Sequence, residues 1–432
     1  MSSDLCSSRF FLGPRLGKSF SAVSRLALTR VLAGLLLTGA LLTFTLMVLG
    51  GDDPMMGPRP GLVRGGDLLA FWDGGAILAG PQPERLYEPG AAKEVQRALF
   101  PGVRHIYRMA YPPPIYQATA QLVPLGYVRA MRLMMLITAL SMALGASTLA
   151  RSVPEELGVP HWMVAALLGA SPAGLLLLGT GQLSGVWLAC LGAGCAALLQ
   201  RRDWVGGFFL GFLLLKPSLA LPAFASLVLL LRGQAVLGFV FGAASITLTS
   251  LLLDGPQSWM SWLAIQSDPG DVALRMWNFP YRQITLRSAF GLLADRRTPQ
   301  ATALGWLGVS LGTAGVLVVA RLAVVSLQGH EGDRPRHALG LGAVLSMALL
   351  TTPHLFDYDI VMHAPGWLGS FWWIASGRAA RPRLGVGALL GAWVAPLLAP
   401  VVASTHIAMG TALVSAWVIW MATELRMAQT PG

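Results

Sequence analysis

Apolar runs long enough to cross a bilayer recur along the 432-residue chain, and the short connections between many of them carry arginine. A helix needs roughly 20 residues to cross the hydrocarbon core, so about twelve spans are expected. Their extents are 26–49, 130–150, 161–179, 183–200, 204–215, 217–231, 234–253, 303–325, 338–352, 360–376, 384–402 and 407–425. The expected fold class is an all-α polytopic membrane protein. It would have a basic N-terminal segment over 1–25, a single membrane domain over 26–426 and a short tail over 427–432. The first run follows Arg9, Arg15, Lys18 and Arg25. It is longer than the apolar stretch of a cleaved signal and lacks a small-residue cleavage site, so it reads as an uncleaved signal anchor.

Two connections, 50–129 and 254–302, are too long to be simple links. Alternate short connections hold Arg151, Arg201 with Arg202, Arg232, Arg334 with Arg336, and Arg378 with Arg381 and Arg383. The positive-inside rule places these, the N-terminal segment and the tail in the cytoplasm. Both long loops then lie outside, with the Gly181-Gln182 turn, the Lys216-Pro217 break and the "PHLFDYD" segment. Arg129 and Arg132 run against this scheme, but long loops translocate largely regardless of charge. Within the first outer loop, 115–127 is too short to cross and carries Gln117, Gln121 and Pro124, which suits a helix lying in the interface. The short amphipathic run opening at Glu88 reads the same way. No period of 20–50 residues repeats, and there is no inverted pair of broken helices of the kind that builds many transporters.

A chain that is 54% hydrophobic and only 12% charged is not an ordinary soluble domain. The net charge of +11 would suggest nucleic acid in a soluble protein. Here topology and anionic headgroups account for it, and no nucleic-acid partner is expected. Cys190 and Cys195 lie in one apolar run and Cys6 in the basic N-terminus, so neither a disulfide framework nor a thiolate metal site is indicated.

Candidate chemistry gathers on the outer side. Asp67 follows Gly65-Gly66 and opens the run "DLLAFWDGGAILAG". It reads either as a helix N-cap or as a general base at a partly desolvated interface. Asp73, six residues on, points to a nearly opposite helix face, so the two do not form a close pair. It reads as a solvated or structural acid with a weaker claim on substrate. Tyr111 leads the stiff "YPPP" segment, which shapes the loop and would hold the ring in place. Lys216 interrupts an apolar stretch and requires an anionic partner, a water-filled cavity or a path to the surface; a phosphate would suit it. His354, Asp357, Asp359 and His363 form the densest polar cluster of the apolar half. His354 and Asp357 stand three apart and would meet on a helix. That cluster reads as a phosphate- or hydroxyl-binding group or as a structural network, and its spacing matches no strong zinc signature. Gln182, in "GTGQLSG", is ambiguous, and Asn278, Tyr281, Arg282 and Arg287 could hydrogen-bond an acceptor.

"DLLAFWDGGAILAG", "LYEP", "YPPP", "GTGQLSG", "GGFFLGFLLLKP" and "PHLFDYD" occur in an order that resembles glycosyltransferase family 87. That family includes bacterial polyprenyl-phosphate-mannose-dependent mannosyltransferases, and the resemblance runs from about residue 66 to 365. It implies a GT-C-type helical bundle with interfacial helices in the first outer loop. It also implies an inverting transfer of a hexose, mannose in the members named, from a polyprenyl-phosphate donor to a lipid, glycolipid or glycan hydroxyl on the periplasmic face of a bacterial inner membrane. By the resemblance Asp67 matches the catalytic acid, Lys216 and His354 match positions near the donor phosphate, and Tyr111 and Gln182 match recurrent motif residues. Asp73 is a departure, because relatives often carry a small or polar residue there. No metal or other cofactor is implied, and no Gly-rich nucleotide loop is present. A transporter or lipid flippase would also explain an intramembrane Lys216 and His354, but predicts polar groups near the midplane and on both sides. A noncatalytic scaffold would leave Asp67 incidental.

Overall fold

The computed structural model describes residues 15–49, 63, 65–107, 111–267, 279–295 and 298–429. Asn278, Cys6 and the ends of the N-terminal segment and tail lie outside them. The helices are α1 (Arg15–Leu49), α2 (Gly66–Leu78), α3 (Pro89–Leu99), α4 (Pro113–Ala120), α5 (Tyr127–Ala150), α6 (His161–Gly169), α7 (Pro172–Thr180), α8 (Ser184–Leu199), α9 (Asp203–Gly211), α10 (Pro217–Leu229), α11 (Gly233–Asp254), α12 (Gln257–Ser267), α13 (Leu286–Gly291), α14 (Pro299–Leu327), α15 (Arg334–Thr351), α16 (Ala364–Ala375), α17 (Pro382–Val394), α18 (Ala399–Thr405) and α19 (Met409–Met427). The protein is an all-α membrane protein, and each expected apolar run falls on helix. Among the described residues, five helical segments are long and apolar enough to cross a membrane: Arg30–Leu49, Tyr127–Ala150, Gly233–Asp254, Pro299–Leu327 and Pro382–Thr405. The bent pair α6–α7 makes a sixth, with a 54° break where Pro172 interrupts the ladder.

Inside a bilayer, burial of apolar surface does not drive helices together, so contact depends on small residues that let backbones approach. Helices α9 and α11 show this. Gly207 and Gly211 face Gly238 and Gly242, and a Cβ on Gly207 would lie 1.9 Å from the Ala235 carbonyl oxygen. One on Gly238 would lie 2.1 Å from that of Trp204. The crossing anchors α9, and a 3-10 turn, Phe212–Leu215, then carries the chain to Lys216. Leucines such as Leu35, Leu41, Leu252 and Leu317 stay exposed on the outer surface, as suits a lipid surround.

The first long loop does not form one interfacial helix over 115–127. It folds as α2, the turn Pro83–Tyr87, α3 and α4, with a second turn at Val123–Leu125, and Tyr127 already belongs to the span α5. Polar side chains concentrate at two ends. Arg232 bonds Asp203 at 2.8 Å, Arg336 meets Asp333 at 3.2 Å, and Arg378 also reaches Asp333. Gln182 and Ser184 lie across from this group, at the far end of the 16-residue α8, roughly 24 Å of helix away.

Candidate active site

Two glycine turns create the site. Gly65 takes a left-handed φ of 63° before α2, and Gly181 one of 74° after α7. A Cβ on Gly181 would come within 2.9 Å of Gly65 Cα, so the turns can abut only because both are glycine. They present the residues that follow. Gln182 donates from Nε2 to Asp67 Oδ2 at 2.5 Å and to the Tyr358 hydroxyl at 3.0 Å. Asp67 is therefore not the N-cap, a position that Gly65 holds without a side-chain bond. Burial pushes the Asp67 carboxyl up to about 6, against the Gln182 hydrogen bond and the nearby Arg282 and Lys216 charges. At neutral pH it is mostly ionised, yet more basic than an ordinary carboxylate.

Lys216 owes its position to Pro217. The residue before a proline is pushed out of helical geometry, and Lys216 has φ −134° between the 3-10 turn and α10. Its side chain turns inward rather than snorkelling. Nζ donates to Asp359 Oδ1 at 2.6 Å and to Ser184 Oγ at 3.4 Å, while Ser184 donates to the same carboxylate at 2.8 Å. The anionic partner that the sequence required is thus Asp359, which is fully buried. The ammonium also stands 5.6 Å from the Tyr358 ring centre.

The second long loop supplies the other cation. Gln283 pairs antiparallel with Phe356, and Ile284 N–H donates to the Leu355 carbonyl at 2.9 Å. This seats Arg282 beside Asp357, where Nε and Nη2 each donate to one carboxylate oxygen at 2.9 Å. Burial raises the Asp357 carboxyl and Arg282 opposes that shift. His354 does not share a helical turn with Asp357. Residues 352–355 are nonhelical, a 3-10 turn begins at Asp357, and the His354 ring stands edge-on to Phe356 at 4.5 Å.

Asp67, Tyr111, Lys216, Arg282, His354 and Tyr358 all line one cavity of about 660 Å³. One flank is apolar, built by Leu221, Pro222 and Ala225 of α10 and by Val316 and Leu317 of α14. Leu221 is 71% exposed and Leu317 55%, so this flank reaches the outer apolar surface between the two helices. Tyr111 is held through its backbone: its carbonyl accepts from the Tyr87 hydroxyl at 3.0 Å and its N–H donates to that of Tyr116 at 3.3 Å. Gln182 stands behind Asp67, and Asp357 behind Arg282. Asp73 does not line the cavity; it is 3% exposed and accepts a hydrogen bond from Gln96. Among the described residues, no group of three or more His, Cys, Asp or Glu side chains is disposed to hold a metal ion.

Sequence reasoning undervalued Arg282, Tyr358 and Asp359. The available signal was a balance of charge: a lysine buried at a helix break needs a carboxylate, and "DYD" puts two acids on either side of one aromatic.

Among known proteins, the family model described as glycosyltransferase family 87 matches residues 110–353, more than half of the chain. Tyr111, Gln182, Lys216 and Arg282 fall within the match, whereas Asp67 precedes it and His354 follows it by one position. No curated protein and no solved structure matches.

Proposed function

The chain belongs to glycosyltransferase family 87, and from that premise we propose that it moves a hexose, mannose by preference, from a polyprenyl-phosphate donor to a lipid, glycolipid or glycan hydroxyl. The observation that carries this reading is that one half-buried carboxylate, two cations and a histidine share a cavity with an apolar flank that opens sideways. The apolar flank suits a prenyl chain entering from the bilayer, with Lys216, Arg282 and His354 around its phosphate.

In this mechanism Asp67 takes the proton from the acceptor hydroxyl as its oxygen attacks the anomeric carbon from the face opposite the phosphate. The bond from that carbon to the phosphate oxygen breaks, its electron pair leaves with the polyprenyl phosphate, and the configuration inverts. Lys216 and Arg282 have three and five N–H donors, and each directs two of them to protein partners. The donors that remain can meet the charge that grows on the leaving phosphate. Gln182, itself bonded to the Tyr358 hydroxyl, holds the carboxylate, and Asp359 and Asp357 hold the cations. The site lies at the end opposite the arginine-rich connections, which supports an extracytoplasmic active site in a bacterial cytoplasmic membrane crossed about twelve times.

The test is label transfer from polyprenyl-phosphate-[14C]hexoses in membranes that contain the protein or its Asp67→Asn variant. Transfer by the wild type alone is expected. Equal transfer by both would sink the base assignment, and movement of the lipid across the bilayer without transfer would favour a flippase.

A further inference from the structure

The cavity has a second flank that the mechanism above leaves unused, and it is aromatic. Tyr107 packs directly on the backbone next to Asp67: a Cβ on Gly66 would lie 2.1 Å from the Tyr107 ring. His105 stands 4.8 Å from Tyr107, edge to face, and Phe279 of the second outer loop stands 5.8 Å from His105. All three line the cavity and are half-buried. They form a continuous row of rings that starts at the carboxylate and leads away from it.

We propose that Tyr107, His105 and Phe279 are a saccharide subsite for the acceptor, which holds its terminal sugar ring with one hydroxyl at Asp67. The proposal rests on the glycosyl-transfer reading above and narrows its acceptor to a molecule that already carries a sugar. The carbon-bound hydrogens of a pyranose ring are slightly positive and meet the negative face of an aromatic ring, while an imidazole edge can bond its hydroxyls. Position assigns this flank to the acceptor rather than the donor. The base must touch the acceptor, and the Tyr107 ring packs on the backbone of the residue next to the base. The apolar flank instead climbs α10 from Lys216, through Leu221 and Ala225. Burial holds His105 below the ordinary histidine range, so a neutral ring faces the cavity at pH 7.

The row is held by parts that do not touch substrate. Gln96 clamps both backbone polar groups of Tyr107, donating to its carbonyl at 2.6 Å and accepting from its N–H at 3.0 Å. The same amide donates to Asp73. The Tyr107 hydroxyl bonds the Val63 backbone. Phe279 has a left-handed φ of 48°, which bulky side chains rarely adopt, at the start of the turn Pro280–Arg282. Backbone outliers of this kind cluster at ligand sites, and this one sets Phe279 and Arg282 from a single turn.

The experiment uses the purified full chain in lipid nanodiscs, a polyprenyl-phosphate-[14C]hexose donor, and octyl hexopyranosides as acceptors or as competitors of transfer to extracted membrane lipids. Octanol, which has no sugar, is the control. The variants are Phe279→Ala, His105→Ala and Phe279→Tyr, each checked for wild-type elution so that no single variant decides the outcome. Expected are competition or acceptance by at least one hexoside and none by octanol. The alanine variants should raise the acceptor KM by about tenfold with the donor KM unchanged, and Phe279→Tyr should restore it. The subsite is overturned if octanol serves as well as every hexoside, if the donor KM rises instead, or if neither KM moves while transfer still depends on Asp67. Absence of transfer by the wild type, or full transfer by Asp67→Asn, would overturn the glycosyl-transfer reading and the subsite with it.

Discussion

Asp67 and Asp73 stand six residues apart on one short helix, and burial raises both carboxyls, yet only one of them lines the cavity. Asp67 opens onto the cavity, held by Gln182 and flanked by Lys216 and Arg282. Asp73 faces Gln96 and the Gly74 N–H, away from any cavity wall. Six residues turn a helix by about 600°, so the two point to different faces. Burial does not distinguish a reactive acid from a structural one; access to a reacting group does. The sharpest way to break the comparison is to remove each charge with little change of shape. Asp67→Asn should lower label transfer by about 100- to 10,000-fold, the usual range for a lost general base, while Asp73→Asn stays within about tenfold of wild type. The reverse ranking would move the base to Asp73.

The next largest effect concerns what the two acids are contrasted against, the buried ion pair of Lys216 with Asp359. Lys216→Met leaves a fully buried carboxylate without its cation, and removing one partner of a buried pair costs about 3–5 kcal/mol. The double variant Lys216→Met with Asp359→Asn should recover most of that stability in thermal unfolding without recovering transfer. Recovery of both would make Lys216 a structural residue with no part in the chemistry.

Helical class and the gathering of Asp67, Lys216 and His354 at one end of the bundle were legible in the sequence, because apolar runs and lone charges at their breaks are local signals. Long-range pairing was not. Nothing local says that Gln182 meets Asp67 across 115 positions, or that Asp359 and not a ligand neutralises Lys216. The expected helical pair of His354 and Asp357 failed for a related reason. Pro353 and the bridge from Phe356 to Gln283 keep that stretch extended, and Asp357 turns to Arg282 instead.

A smaller effect tests Asp73 as a support. Asp73→Ala leaves the Gln96 amide buried with one partner fewer, a loss of about 1–3 kcal/mol. If Asp73 acts through Gln96 on Tyr107, the acceptor KM rises and the donor KM does not. A fall in kcat alone, with both KM values constant, would place Asp73 nearer the chemistry than its contacts suggest.

The smallest effect is the dependence on pH, and it separates the acids by sign. A base must be unprotonated, so wild-type transfer should fall below about pH 6, tenfold per unit once well below it, as Asp67 takes up its proton. Stability should move the other way. A carboxyl whose folded value lies above its unfolded one binds more protons when folded, so the fold gains stability as pH drops from 7 through about 6 toward the unfolded value. Asp67→Asn removes that linkage. Its melting temperature at pH 7 should exceed that of the wild type, and the gap should narrow by pH 5. Asp73→Asn can show the same stability trend, because burial raises that acid too, but it should keep the acid limb of the rate profile. An acid limb that survives Asp67→Glu unshifted and vanishes in Asp73→Asn would show that the proton lost in transfer goes to the wrong end of this helix for the mechanism to stand.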